Sequence, residues 1–104
     1  METDDFSIVQ KESSEGIKFI LKGHMDYAKS EELQIKLDET IKNGSNKIIL
    51  NMHQVDYLCS TGIRVILKTY KDAKNAGGSF GIEMPSERVR NVLGMVALDE
   101  MLIK

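Results

Sequence analysis

The 104-residue chain contains one cysteine, one proline and no tryptophan. A single cysteine cannot close an internal disulfide, so the fold must rest on burial and hydrogen bonding. With its only proline at position 85, the chain has no Pro-rich linker, and no repeat or low-complexity tract interrupts it. No apolar run approaches the roughly 20 residues that span a bilayer, and the N-terminal METDDFSIVQK joins no basic stretch to an apolar one. A cytoplasmic protein with no membrane partner is expected. Basic excess is missing too: Lys+Arg 14 against Asp+Glu 16 gives a net charge of -2, which argues against a nucleic-acid partner. His24, His53 and Cys59 are the only soft metal ligands, scattered without paired spacing, so no metal site is expected. Gly77-Gly78 lacks the Lys-Ser/Thr that would follow in a phosphate-cradling loop and is explained by a helix stop, so no cofactor is expected.

What is present is patterned. At 41% hydrophobic, the chain has the apolar content of one core, and residues 1–104 read as a single domain. FSIVQ from Phe6 alternates, IKFILKG from Ile17 is β-branched and apolar, and Ser13-Ser14-Glu15-Gly16 between them predicts a hairpin turn. Leu33, Leu37 and Ile41 recur every fourth position, which predicts a helix over 29–43 with Glu31 and Glu32 in its first turn and Gly44 as its stop. KIILNM, Lys47 to Met52, has the unbroken apolar character of a central, buried parallel strand. Ile63, Ile66, Leu67, Tyr70 and Ala73 mark the inner face of a second helix. SFGIEM then reads as a strand, and Pro85-Ser86-Glu87 opens a third helix with Val89, Val92, Leu93 and Val96 inward. The order β-β-α-β-α-β-α implies an α/β fold: a small mixed four-stranded sheet with a parallel core, right-handed crossovers and an antiparallel edge from the hairpin.

In such sheets, ligands gather where parallel strands end and helices begin. Two segments fall there: GHMDYAKS after the second strand and NMHQVDYLCSTG after the third. In the latter, Ser60 admits two readings. It caps the helix that follows, or it accepts a phosphate, which the positive end of a helix would stabilise and Gly62 would let approach closely.

The stretch VDYLCSTGIRVILKTYKDAKNAGG resembles the signature of the STAS domain of bacterial anti-sigma factor antagonists, an apolar segment and Asp-Ser-Ser/Thr-Gly followed by an aliphatic helix ending in Gly-Gly. LKGHMDYAKSEEL is similar to the family's Gly-x-Leu-Asp loop, with Met25 and Asp26 in the Leu and Asp positions, and KIILNMHQV resembles its central strand. The resemblance runs from Phe6 to about Lys104 and implies a STAS fold and a binding switch without catalysis. The unphosphorylated domain would hold an anti-sigma factor that is also a serine kinase, freeing a sigma factor; phosphorylation of Ser60 would part them, and a serine phosphatase would reset the switch. Met25, Asp26, Tyr27, Asp56, Tyr57, Cys59, Thr61, Gly62 and Arg64 are the expected partner-binding residues. Two of these depart from the family: Cys59 stands where an Asp usually precedes the serine, and Arg64 stands where a small residue is common, free to meet a phosphate, an acidic partner or solvent. The chain stops at Met101-Leu102-Ile103-Lys104, short of the family's usual further helix, so apolar surface left open there would favour a homodimer.

Two rival readings use the same residues. A thiol before a helix gives Cys59 a reason for reactivity, but the phosphate loop of tyrosine phosphatases needs five residues between Cys and Arg, and only four separate Cys59 from Arg64, so no enzyme is expected. Alternatively, the domain is a non-phosphorylated scaffold in which Met25, Tyr27, Tyr57 and Leu58, if exposed together, anchor a partner; otherwise they are buried under the loops.

Overall fold

Ser13 ends the first strand by folding its hydroxyl over the turn, accepting from the Glu15 amide at 3.1 Å and donating to the Gly16 carbonyl at 3.3 Å. Gly16 takes φ +126°, open to a residue without Cβ, and the chain returns antiparallel. The computed structural model describes residues 6–95. Its elements are β1 (Ser7–Ser13), β2 (Gly16–Met25), α1 (Tyr27–Lys42), β3 (Lys47–Leu58), α2 (Ser60–Asn75), β4 (Ser79–Glu83) and α3 (Glu87–Met95). The sheet order is β1-β2-β3-β4, with β1 antiparallel to β2 and the other pairings parallel. Element order and mixed sheet are those expected from the sequence.

Alternate residues supply the core. The register aligns Ile17, Ile48 and Phe80 in one row and Phe19, Leu50 and Ile82 in the next, all buried. The crossovers from β2 to β3 and from β3 to β4 step the same way across the sheet, so right-handedness sets α1 and α2 on one face, where they pack against each other. Leu33 and Leu37 of α1 and Val65, Ile66 and Ala73 of α2 close over those rows. α3 packs on β3 through buried Val89 and Leu93. Ser86 joins the two: its Oγ donates to the Val55 carbonyl at 2.7 Å and accepts from the Val89 amide at 3.2 Å. Val96, expected to extend that face, lies outside the described residues, as does Met101–Lys104. No described helix is long and apolar enough to cross a membrane.

Three expectations change. The helix expected from Lys29 begins at Tyr27, because Asp26, extended at φ -83° and ψ -171°, accepts the Lys29 amide on its carboxylate at 2.9 Å. Glu31 and Glu32 therefore fall beyond the first turn. On α2 the buried stripe is centred on Gly62, Val65, Ile66, Thr69 and Ala73, while Ile63, Leu67 and Tyr70 flank it half-buried. The largest difference is in β3, which does not end at Met52. It continues to Leu58, with two irregularities where it spends one more residue than β2: Ile20 to Lys22 faces Asn51 to Gln54, and Gly23 to His24 faces Val55 to Tyr57. The segment expected to be a loop is thus mostly strand.

Candidate functional site

The two bulges decide what stands at the C-terminal edge of the sheet. By the end of β3, Tyr57 pairs with His24 and Leu58 with Met25, and the Cys59 amide donates to the Met25 carbonyl at 3.3 Å. This last bond ties the start of α2 to the corner between β2 and α1. Asp26, the α1 cap, and Ser60, the first residue of α2, are thereby brought to the same edge of the molecule.

Ser60 is not the cap. Cys59 occupies the N-cap position, extended at φ -82° and ψ 173°, and no side chain caps the helix. The first backbone bond of α2 runs from the Ile63 amide to the Cys59 carbonyl, which leaves the amides of Ser60, Thr61 and Gly62 without partners inside the helix. No acidic side chain stands in the first turn. Ser60 is exposed, so its hydroxyl lies at the surface of an unanswered positive helix end.

The predicted partner-binding residues divide by burial. Asp26, Tyr27, Asp56, Tyr57 and Arg64 are exposed, Tyr27 at 62%, and Thr61 and Cys59 are half-buried. Met25 is fully buried and Leu58 nearly so, which removes both from any surface available to a partner. Met25 continues the inward alternation of Ile17, Phe19 and Leu21 along β2, and the two bulges of β3 bring Leu58 to the same face beside it. Gly62 is buried too: a Cβ there would meet Leu58 Cδ1 at 2.6 Å, Ser30 Oγ at 3.2 Å and Met25 Cε at 3.4 Å. The glycine is needed by the interior, not by an approaching phosphate. Cys59 turns its sulfur toward buried Ser30 of α1, with Sγ and Oγ 3.6 Å apart.

One residue of this edge is absent from the sequence-based set. His24 lies flat against Tyr57, with ring centroids 4.3 Å apart and planes inclined by 11°, and its Nδ1 is 3.3 Å from Asp56 Oδ1. Nothing in the sequence marks this group, because His24 and Tyr57 become neighbours only through the second bulge. The exposed surface beside Ser60 thus carries two carboxylates, two tyrosines and an imidazole. A cleft of about 560 Å³ lies instead along α3, lined by Glu87, Arg88, Asn91, Val92 and Met95. Among the described residues, no group of His, Cys, Asp and Glu is disposed to hold a metal.

This arrangement has close parallels. The STAS domain family profile matches residues 8–104. An anti-sigma factor antagonist homologue of Thermotoga neapolitana (TM1081 homolog) is 35% identical over 65 residues, a stretch covering 62% of this chain and 58% of the relative, so the match spans less than two thirds of that protein's length. The anti-sigma-B factor antagonist of Bacillus subtilis is 28% identical over 92 residues, 88% of this chain and 84% of the relative. The anti-sigma factor antagonist SpoIIAA, solved both unphosphorylated and phosphorylated, superimposes with TM-scores of 0.83 and 0.78 at 22% and 21% identity. The superpositions cover 95% of this chain in both cases, and 86% and 89% of SpoIIAA, a likeness that concerns the fold. By its profile match, its mixed four-stranded sheet and its relatives among the anti-sigma factor antagonists, the chain belongs to the STAS domain family.

Proposed function

We propose that the chain is an anti-sigma factor antagonist that binds an anti-sigma factor with serine kinase activity, accepts a phosphate from it on Ser60, and is released until a serine phosphatase restores it. The observation that carries this reading is the position of Ser60: exposed, first in α2, at an uncapped helix end beside Asp26, Tyr27, Asp56 and Tyr57. An added phosphate brings a charge of about -1.5 to -2 to a helix end that can tolerate it in the free protein. In a complex, the same charge would be desolvated next to the carboxylates of Asp26 and Asp56. Each 1.4 kcal/mol or so of that cost removes a decade of affinity, so the switch needs no change of fold. The chain's role is that of substrate and partner rather than catalyst. It would work in the cytoplasm, with no nucleic acid or membrane partner.

A second reading is favoured by Tyr27 and Tyr57, which are exposed at 62% and 37% on the proposed binding face, and by Cys59 in the position before Ser60. There the domain anchors a partner through its aromatic residues without being phosphorylated. Incubation with the host's anti-sigma kinases and ATP, followed by mapping of the phosphate by mass spectrometry, separates the two. Phosphate on Ser60 with loss of binding is the expected result; retained binding with Ser60 unmodified points to the scaffold.

A further inference from the structure

Resting on the reading of Ser60 as the acceptor, we propose that Arg64 is an intramolecular clamp for the phosphate, closing on it one helical turn away and withdrawing its own charge from the partner-binding face. Ser60 and Arg64 stand four residues apart on α2 and both are exposed, so they share one solvent-facing strip. Helical side chains lean toward the N-terminus, and the long Arg64 stem is therefore carried back toward Ser60 rather than away from it. Its planar fork matches two phosphate oxygens at once, which a lysine ammonium does not.

The surroundings favour this partner. Among the described residues Arg64 makes no ion pair, whereas Lys68, the next cation along the strip, is held by Asp72 at 2.7 Å and Asp38 at 3.2 Å. The first turn of α2 offers neither an acid nor a capping side chain to the amides at its mouth. The carboxylates at the same edge are already engaged, Asp26 with the Lys29 amide and Asp56 with His24 against it, and neither pairs with Arg64. Phosphorylation then alters the face twice. It adds negative charge at Ser60, and it engages the cation that an acidic group of the partner would otherwise meet.

The test uses the full chain with phosphoserine installed at position 60 by codon reassignment, and follows the phosphate by ³¹P NMR across pH. The second phosphate pKa should be lower in the parent than in Arg64→Gln by about 0.2 to 0.7 pH units, the range exposed ion pairs support. Arg64→Lys should fall between them. Lys71→Gln, about three turns from the phosphate, should leave the titration unmoved. Superimposable curves for parent and Arg64→Gln, or an equal displacement in Lys71→Gln, would overturn the clamp. Because no kinase is used, the result is independent of whether Ser60 is the natural acceptor. A kinase assay that leaves Ser60 bare would remove the acceptor reading while the titration still decides the clamp.

Discussion

A carbon atom added to Gly62 would stand 2.6 Å from Leu58 Cδ1, closer than side chains approach one another in folded proteins. Leu58 is itself boxed in at 5% exposure, beside fully buried Met25 and Ser30. Gly62→Ala therefore sets about 1 kcal/mol of gained helix propensity against about 1–3 kcal/mol of overpacking, for a net loss near 1 kcal/mol. Urea denaturation reads the difference as a lower midpoint at unchanged slope. A raised midpoint would show that the α1–α2 contact yields more easily than its geometry implies.

Ser60 can be changed with little structural consequence, since no hydrogen bond of its side chain supports the helix. Ser60→Ala should alter stability by no more than about 0.5 kcal/mol, as at an ordinary surface position, and not by the 0.5–2 kcal/mol typical of a lost cap. It should bind the partner while accepting no phosphate. Ser60→Asp places a carboxylate at the positive helix end, so the thermal midpoint should hold or rise slightly while affinity for the partner falls at least about tenfold, or 1.4 kcal/mol. Calorimetric titration with the partner and a thermal melt of the same samples test both halves, and undiminished affinity in Ser60→Asp would end the switch.

Asp26 caps α1, and substitution can separate that role from the proposed one of meeting the partner. Asp26→Ala removes the carboxylate that accepts the Lys29 amide and should cost about 0.5–2 kcal/mol. Asp26→Asn keeps a capping oxygen but loses the charge, so stability should be nearly retained. If Asp26 meets the partner through its charge, Asn and Ala should weaken binding alike; if it acts only by holding α1 in place, Asn should bind as the parent does.

The contrast between what could and could not be read in advance follows from the range of the interactions involved. Leu33, Leu37, Ile48 and Leu50 are legible because helix and strand periods are local, and the Ser13–Gly16 turn and the stops at Gly44 and Gly77 because their backbone conformations are local as well. The position of Ser60 at an exposed helix start was also legible. The bulges in β3 were not, since they arise from pairing with β2 across some thirty residues and leave no periodic trace in NMHQVDYL. The second bulge is what lays His24 on Tyr57, whereas Met25 faces inward simply by continuing the alternation of Ile17, Phe19 and Leu21 along β2. The length of an apolar run tells that a strand exists, but not how far its hydrogen bonds continue into polar sequence.

On the opposite side of β3 from the core rows, Glu83 accepts from Asn51 Nδ2 at 2.8 Å and pairs with Lys18 Nζ at 3.0 Å. These contacts, the Asn51 hydrogen bond first, hold the Glu83 carboxyl below the ordinary value of 4.5 and outweigh the opposing effect of its burial. A carboxylate whose folded pKa is depressed binds its proton less readily in the native state than in the unfolded chain. Its stabilising contribution is therefore complete above the unfolded value and is lost as pH falls through the folded one. Glu83→Gln keeps the shape and an oxygen for Asn51 but removes the charge that answers Lys18. The variant should be less stable than the parent near neutral pH, and the difference should shrink as pH drops below 4.5, where the parent carboxylate takes up its proton. Denaturant titrations of both proteins at about pH 7 and about pH 3 measure this. A gap of the same size at both would mean that the Asn51 and Lys18 contacts support the native state through shape alone, with no part for the charge.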